Sequence, residues 1–95
     1  MPAYVVVELK LDDRSWIESY VPPVRVLIEK HGGRIIARAF EYEQLEGDRR
    51  PDAIVLLEFP STDAARAFYH DPDYEPHRRA RMAACQGELY LVPGE

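Results

Sequence analysis

The chain has 95 residues, 46% of them hydrophobic and 31% charged, with a formal net charge of −5. That length predicts one domain spanning residues 1–95, and the acidic balance argues against a general nucleic-acid or anionic-membrane binder, because both reward a basic surface. The single Cys85 excludes an intramolecular disulfide, and no stretch approaches the ~20 apolar residues of a membrane span, so a cytoplasmic setting is expected.

The N-terminal run MPAYVVVELKLDD lacks a basic leader region, and Glu8 and Lys10 break its apolar stretch. Ala3–Lys10 therefore reads as a strand and not as a signal peptide. Asp12 or Asp13 is expected to cap the helix that follows. There Trp16, Ile17, Tyr20, Val24, Leu27 and Ile28 recur at three- and four-residue steps, the spacing of a core-facing stripe. Pro22 and Pro23 predict two helical pieces or a kink, since proline removes a donor and crowds the preceding turn. Gly32–Gly33 supplies the left-handed ending after Lys30 and His31, and His31 is expected to act as a charge at the negative end of the dipole.

Arg34–Phe40 and Ala53–Phe59 read as a second and a third strand around Glu41–Asp52, a polar hairpin tip containing Gly47 and Pro51. Pro60 ends the third strand, and Ser61 or Thr62 caps a helix carrying Ala64, Ala65, Ala67, Phe68 and Tyr69. His70–Pro76 is a proline-containing turn into a last helix through about Cys85, after which Gly87 releases the chain into a strand at Glu88–Pro93. The order β-α-β-β-α-β, with one extra short helix, predicts a ferredoxin-like α+β sandwich. Its sheet order is expected to be 4-1-3-2, with strands one and three as parallel central neighbours.

These strands are apolar on both sides. The first alternates Ala3, Val5, Val7 and Leu9 with Tyr4 and Val6; the third alternates Val55, Leu57 and Phe59 with Ile54 and Leu56; the fourth alternates Leu89 and Leu91 with Tyr90 and Val92. A lone small domain needs only one greasy sheet face. The second face is therefore expected to meet another copy of the chain.

The runs HGGRIIARAFEYEQLEG, PDAIVLLEFPSTDAARAFYHDPDYEPHRRAR and LYLVPG resemble the domain-of-unknown-function family numbered 1330, within the dimeric α+β barrel superfamily. Gly32–Gly33–Arg34 with Arg38, Leu45–Glu46–Gly47, Glu58–Phe59–Pro60, and Asp71–Pro72 with Tyr74 carry the likeness. It implies a homodimer whose sheets pack face to face, on a scaffold that also serves cofactor-free monooxygenases, haem-degrading enzymes and muconolactone-type isomerases. Such a scaffold does not assign chemistry by itself. Phe40 departs from the family pattern, which has a small residue after Arg38, and so does Phe68–Tyr69, where the family has Trp–Tyr.

Several groups of residues are candidates for chemistry. Counting by twos places Arg38, Glu58 and Glu8 on one sheet face, and buried charges must pair. Arg38 is then either the fork that holds a ligand carboxylate, with a glutamate as base or as its orienting partner, or one half of a structural ion pair. Tyr20, Phe68, Tyr69 and Tyr74 should line the cleft between helices and sheet, where Tyr20 and Tyr74 offer walls or hydroxyl donors, or simply fill the core. His70, Asp71, Asp73, Glu75 and His77 could ligate a metal but read better as a solvated, capping turn. Arg78, Arg79 and Arg81, near Arg66, read as a solvated basic face that could also attract an anion. Cys85 lacks a base partner and reads as core. No nucleotide, haem or metal motif is present, so no cofactor is expected. The leading expectation is a homodimer binding, and in an enzyme transforming, a small organic acid or aromatic metabolite. The rival is a non-catalytic dimeric binding or interaction module.

Overall fold

A computed structural model describes residues 1–95. The elements are β1 (Ala3–Lys10), α1 (Ile17–Lys30), β2 (Arg34–Ala39), β3 (Ala53–Phe59), α2 (Thr62–Tyr69), α3 (Glu75–Ala84) and β4 (Gln86–Pro93). The sheet order is β2-β3-β1-β4, the expected one. Every neighbouring pair is antiparallel, so β1 and β3 do not run parallel as expected: Ala3 faces Phe59 and Leu9 faces Ala53. The reason is topological. The α1 crossover makes β1 and β2 point the same way, and β3, joined to β2 by a hairpin, enters the gap between them in the opposite sense.

The Cα trace measures 31 × 31 × 16 Å, the thickness of one sheet and one helical layer. Alternation along β1 and β3 sends Val5, Val7, Leu9, Leu57 and Phe59 under the helices, where they meet Val24, Leu27 and Ile28 of α1 and Ala65 and Phe68 of α2. The alternate set, Tyr4, Val6, Ile54 and Leu56, stays half-exposed on the other face, and Tyr90 and Val92 beside it are exposed.

Local chemistry explains most of the boundaries, with three differences from expectation. The first concerns the start of α1. Neither aspartate caps it: Trp16 occupies the N-cap without a side-chain bond. Asp13 instead accepts from the Ser15 backbone N–H at 2.8 Å and the Ser15 hydroxyl at 3.0 Å, a local turn that competes with capping. The second concerns its middle. Residues 17–30 form one helix through Pro22 and Pro23. The carbonyls that lose their donors belong to Glu18 and Ser19, both exposed, so water can satisfy them. The third concerns β4, which begins at Gln86, so Gly87 lies inside the strand. A Cβ there would sit 2.7 Å from Leu9 Cδ2 and 3.2 Å from the Glu8 carbonyl oxygen, so a larger residue would force the Leu9 side chain to shift.

The end of α1 follows expectation. Gly32 adopts φ 77°, and the Gly33 N–H donates to the Ile28 carbonyl at 2.9 Å. At the start of α2 the Ser61 hydroxyl accepts from the Ala64 N–H at 3.0 Å.

Candidate functional site

One irregularity decides where Arg38 points. Arg34 pairs with Glu58 and Ile35 with Leu57, but the next pairing joins Ala37 to Leu56, and Arg38 follows opposite Val55. The residue passed over, Ile36, is the extra member of a β-bulge. An unbroken ladder would set Arg38 opposite Ile54, on the open face that also carries Glu58. A one-residue slip exchanges the faces of everything beyond it, so Arg38 shares the helix-covered face with Val55.

The expected trio of Arg38, Glu58 and Glu8 is therefore not formed. Glu58 stays on the open face and accepts from Arg34 Nε at 2.8 Å. Glu8, on that same face, pairs at 3.0 Å with Arg49 from the β2–β3 loop, which also reaches Glu88 at 2.9 Å. Arg38 lines a cavity instead, between α1, α3 and the covered sheet face.

That cavity has a volume of about 80 Å³, room for several waters at roughly 10–15 Å³ each, or for one compact ring. Seventeen of its twenty lining residues are hydrophobic, and the other three are Arg25, Arg38 and Arg81. No carboxylate lines it. Arg25 and Arg38 are exposed, as is Phe40 beside them, over whose ring the Arg14 guanidinium stands at 5.2 Å. These residues make the mouth.

The inner polar groups are Tyr20, Tyr74 and Arg81. The two tyrosine hydroxyls lie 2.7 Å apart, bringing α1 and the start of α3 together. Tyr74 is almost wholly buried and stacks on Phe68 with centroids 4.6 Å apart, while Trp16 meets Tyr20 edge-on at 5.1 Å. Burial, reinforced by Tyr74, holds the Tyr20 hydroxyl far above its ordinary pKa, so it stays a neutral donor at any working pH.

Arg81 is only 4% exposed, and its Nε has no hydrogen-bond partner. It belongs to none of the protein's ion pairs. Burial works to lower its pKa, yet the adjacent Tyr74 and Tyr20 hydroxyls leave it raised. It remains a cation.

The structure thus gathers Arg38, Tyr20 and Tyr74 around one cavity and leaves Glu58 on the far side of the sheet. Arg81 belongs with the first three. It is not part of a solvated basic face: of its neighbours, Arg78 lies over the Tyr69 ring at 4.9 Å, and Arg79 pairs with Glu75 at 2.6 Å. The missed signal was helical phase. Tyr74, Arg78, Arg81 and Cys85 follow steps of four, three and four, which place Arg81 on the same face as a tyrosine already assigned to the cleft.

The acidic turn has a different role. Asp71 is buried and accepts from Lys30 Nζ at 3.0 Å, from the Asp73 N–H at 2.9 Å and from His31 Nε2 at 2.8 Å. His31, Asp73 and Lys30 hold its carboxyl far below the usual range. This ties the end of α1 to the α2–α3 turn, so His31 acts as a bonded partner more than as a free charge on the dipole. Cys85 donates to the Arg81 carbonyl at 3.4 Å, and burial pushes its thiol pKa up, the reverse of what a nucleophile needs.

Antiparallel order, one-sided helices and a cavity between the layers define a ferredoxin-like α+β protein. The family described as Domain of unknown function (DUF1330) matches residues 2–95, and the chain belongs to it. No curated protein matches the chain. Among solved structures, it is similar to the RPA0582 protein of Rhodopseudomonas palustris, a protein of unknown function. The two share 21% identity and a TM-score of 0.77, over 99% of this chain and 82% of that one. SnoaB of Streptomyces nogalater, a cofactor-independent oxygenase, is 17% identical with a TM-score of 0.69, covering 99% of this chain and 93% of its own. A dimeric ferredoxin-like protein of unknown function from Jannaschia sp. CCS1 is 17% identical with a TM-score of 0.62, over 100% and 99%. Likeness at these identities establishes the fold and no more. No helix is long and apolar enough to cross a membrane.

Proposed function

We propose that this protein is a cytoplasmic homodimer that binds a small organic acid with a largely apolar body in the cavity beneath α1, without a cofactor. The observation that carries the reading is the lining: seventeen hydrophobic residues, three arginines and no carboxylate. An apolar wall selects a hydrocarbon or aromatic body, and arginine is the side chain best matched to a carboxylate. Tyr20 and Tyr74 are the expected contacts inside the cavity, Arg38 stands exposed at its mouth, and Glu58 is not among the lining residues. The likeness to SnoaB, a cofactor-independent oxygenase, supports a reading in which this scaffold works without a cofactor. Dimerisation is supported by the half-exposed and exposed apolar set on the open face and by the dimeric relative from Jannaschia.

The test is a thermal-shift screen of small aromatic and alicyclic carboxylates beside the matching alcohols, followed by calorimetry on the hits. A ligand at a hundred times its Kd adds about 2.7 kcal/mol of stability, so a true ligand raises the melting temperature by many degrees. If no acid moves it at millimolar concentration, the reading is wrong and the protein is an interaction module whose cavity is residual.

A further inference from the structure

Building on the reading that the cavity takes a small organic acid, we propose that its recognition end is the buried cluster of Arg81, Tyr20 and Tyr74. The cluster receives a singly charged carboxylate head first, while Arg38 and Arg25 remain at the mouth.

Two hydroxyls 2.7 Å apart carry two protons, and the bond between them uses one. The second O–H is left to donate elsewhere. Arg81 adds an Nε–H that has no partner, on a side chain only 4% exposed. An unspent hydroxyl donor, an unpartnered Nε–H and a full positive charge therefore belong to three residues that line one cavity, and no carboxylate lines it. A buried charge without a counter-ion is costly, and proteins ordinarily pair it. Here the protein supplies every donor and no anion, which is the composition of a receptor for one.

The same inventory selects among anions. A carboxylate has two oxygens to set against the two donors and one negative charge to set against one guanidinium. A phosphate ester would bring more oxygens and more charge than the cluster can match, and would press the excess against apolar walls. The ligand's hydrocarbon body then lies along Phe68, Val24 and Ile28, all buried lining residues. Arg38 and Arg25 are exposed, so water and salt screen them. Their part is to raise the local concentration of anions around an otherwise acidic protein, an effect on association rate more than on affinity.

The experiment uses the isotopically labelled full chain with two probes of the same shape, benzoate and benzamide. The resonance of the Arg81 Nε–H is followed while each is titrated. Benzoate is expected to move that resonance and to bind at least tenfold more tightly than benzamide. Tyr20→Phe, which removes one hydroxyl and keeps the ring, is expected to weaken benzoate several-fold and benzamide less. Arg38→Met is expected to change the benzoate Kd by less than threefold while making association slower and less salt-dependent. Equal affinity for the two probes overturns both the head-first anchor and the preference for an acid. Loss of benzoate binding in Arg38→Met, while the Arg81 resonance never moves in the wild type, overturns the head-first anchor and leaves the acid-binding reading standing. If neither probe shifts any cavity resonance at millimolar concentration, the anchor and the cavity reading fall together.

Discussion

Replacing Arg81 by methionine isolates what the buried charge costs the empty protein. Methionine keeps much of the apolar stem and removes the guanidinium. Because Arg81 belongs to no ion pair, its removal strands no carboxylate. The usual penalty for breaking a buried pair does not arise. What disappears is the desolvation of a charge that is 4% exposed. Substituting a buried ion pair by hydrophobic residues of similar volume is often neutral or gains roughly 1–4 kcal/mol. The tyrosines beside Arg81 favour its charge enough to leave its pKa raised, so the gain expected here is the smallest of that range, at most about 1 kcal/mol. In a domain of this length each kcal/mol moves the melting temperature by roughly 4–8 °C, so ligand-free Arg81→Met should melt no lower than wild type and at most about 4–8 °C higher. Calorimetry and urea titration at neutral pH measure this, with an unchanged m-value as the check that compactness is preserved. The variant should also lose any response to benzoate. A fall of about 1 kcal/mol or more at constant m would refute the reasoning, because Arg81 would then be a satisfied structural donor to Tyr20 and Tyr74.

Three further perturbations test other parts of the structure. Val6→Asp puts a charge in the middle of the open face, beside Leu56 and Tyr90 in register, and should turn the proposed dimer of 11.0 kDa chains into monomer or aggregate in sedimentation. Its unfolding midpoint should also lose the concentration dependence expected of the wild-type dimer. Gly33→Ala should cost about 1–3 kcal/mol in urea titration, the scale of overpacking, because the new Cβ would meet Phe59 Cε1 at 2.5 Å. Asp71 tests pH dependence. Its folded pKa is depressed, so its contribution is complete above the ordinary carboxylate pKa of about 3.9 and is lost as pH falls below that value. Asp71→Asn should therefore be less stable than wild type at pH 7, and the gap should close in acid. A gap that widens as pH falls would show the sign to be wrong.

The fold was legible because its signals are local and redundant. The strands announce themselves by two-residue alternation, α1 by a three- and four-residue stripe, and the joints by Gly32–Gly33, Ser61 and the prolines near residue 72. Each side of β1 fell on the face that alternation assigned to it. Strand direction was misread because it has no residue signature at all; it follows only from working the crossover and the hairpin through together. The start of α1 was misread because aspartate serves turns as well as caps, and the choice at Asp13 depends on a serine two residues on.

The site was harder to read for a reason that joins its two errors. Both Arg38 and Arg81 had to be assigned to a face, and a face is a phase carried along an element from a reference point. In β2 the phase breaks at Ile36, inside RIIARA, where no glycine, proline or polar residue marks the extra step. Counting by twos from Arg34 therefore delivered Arg38 to the wrong side, together with a partner it never meets. In α3 the phase is unbroken, but the run HRRAR invites reading by composition, as a patch. Counting from Tyr74 instead separates Arg81 from Arg79 and buries it. A polar residue read as surface because its neighbours are surface is the more dangerous error of the two. It hides the one buried cation that has no ion pair, and an unpaired buried charge is where a binding site is most worth seeking.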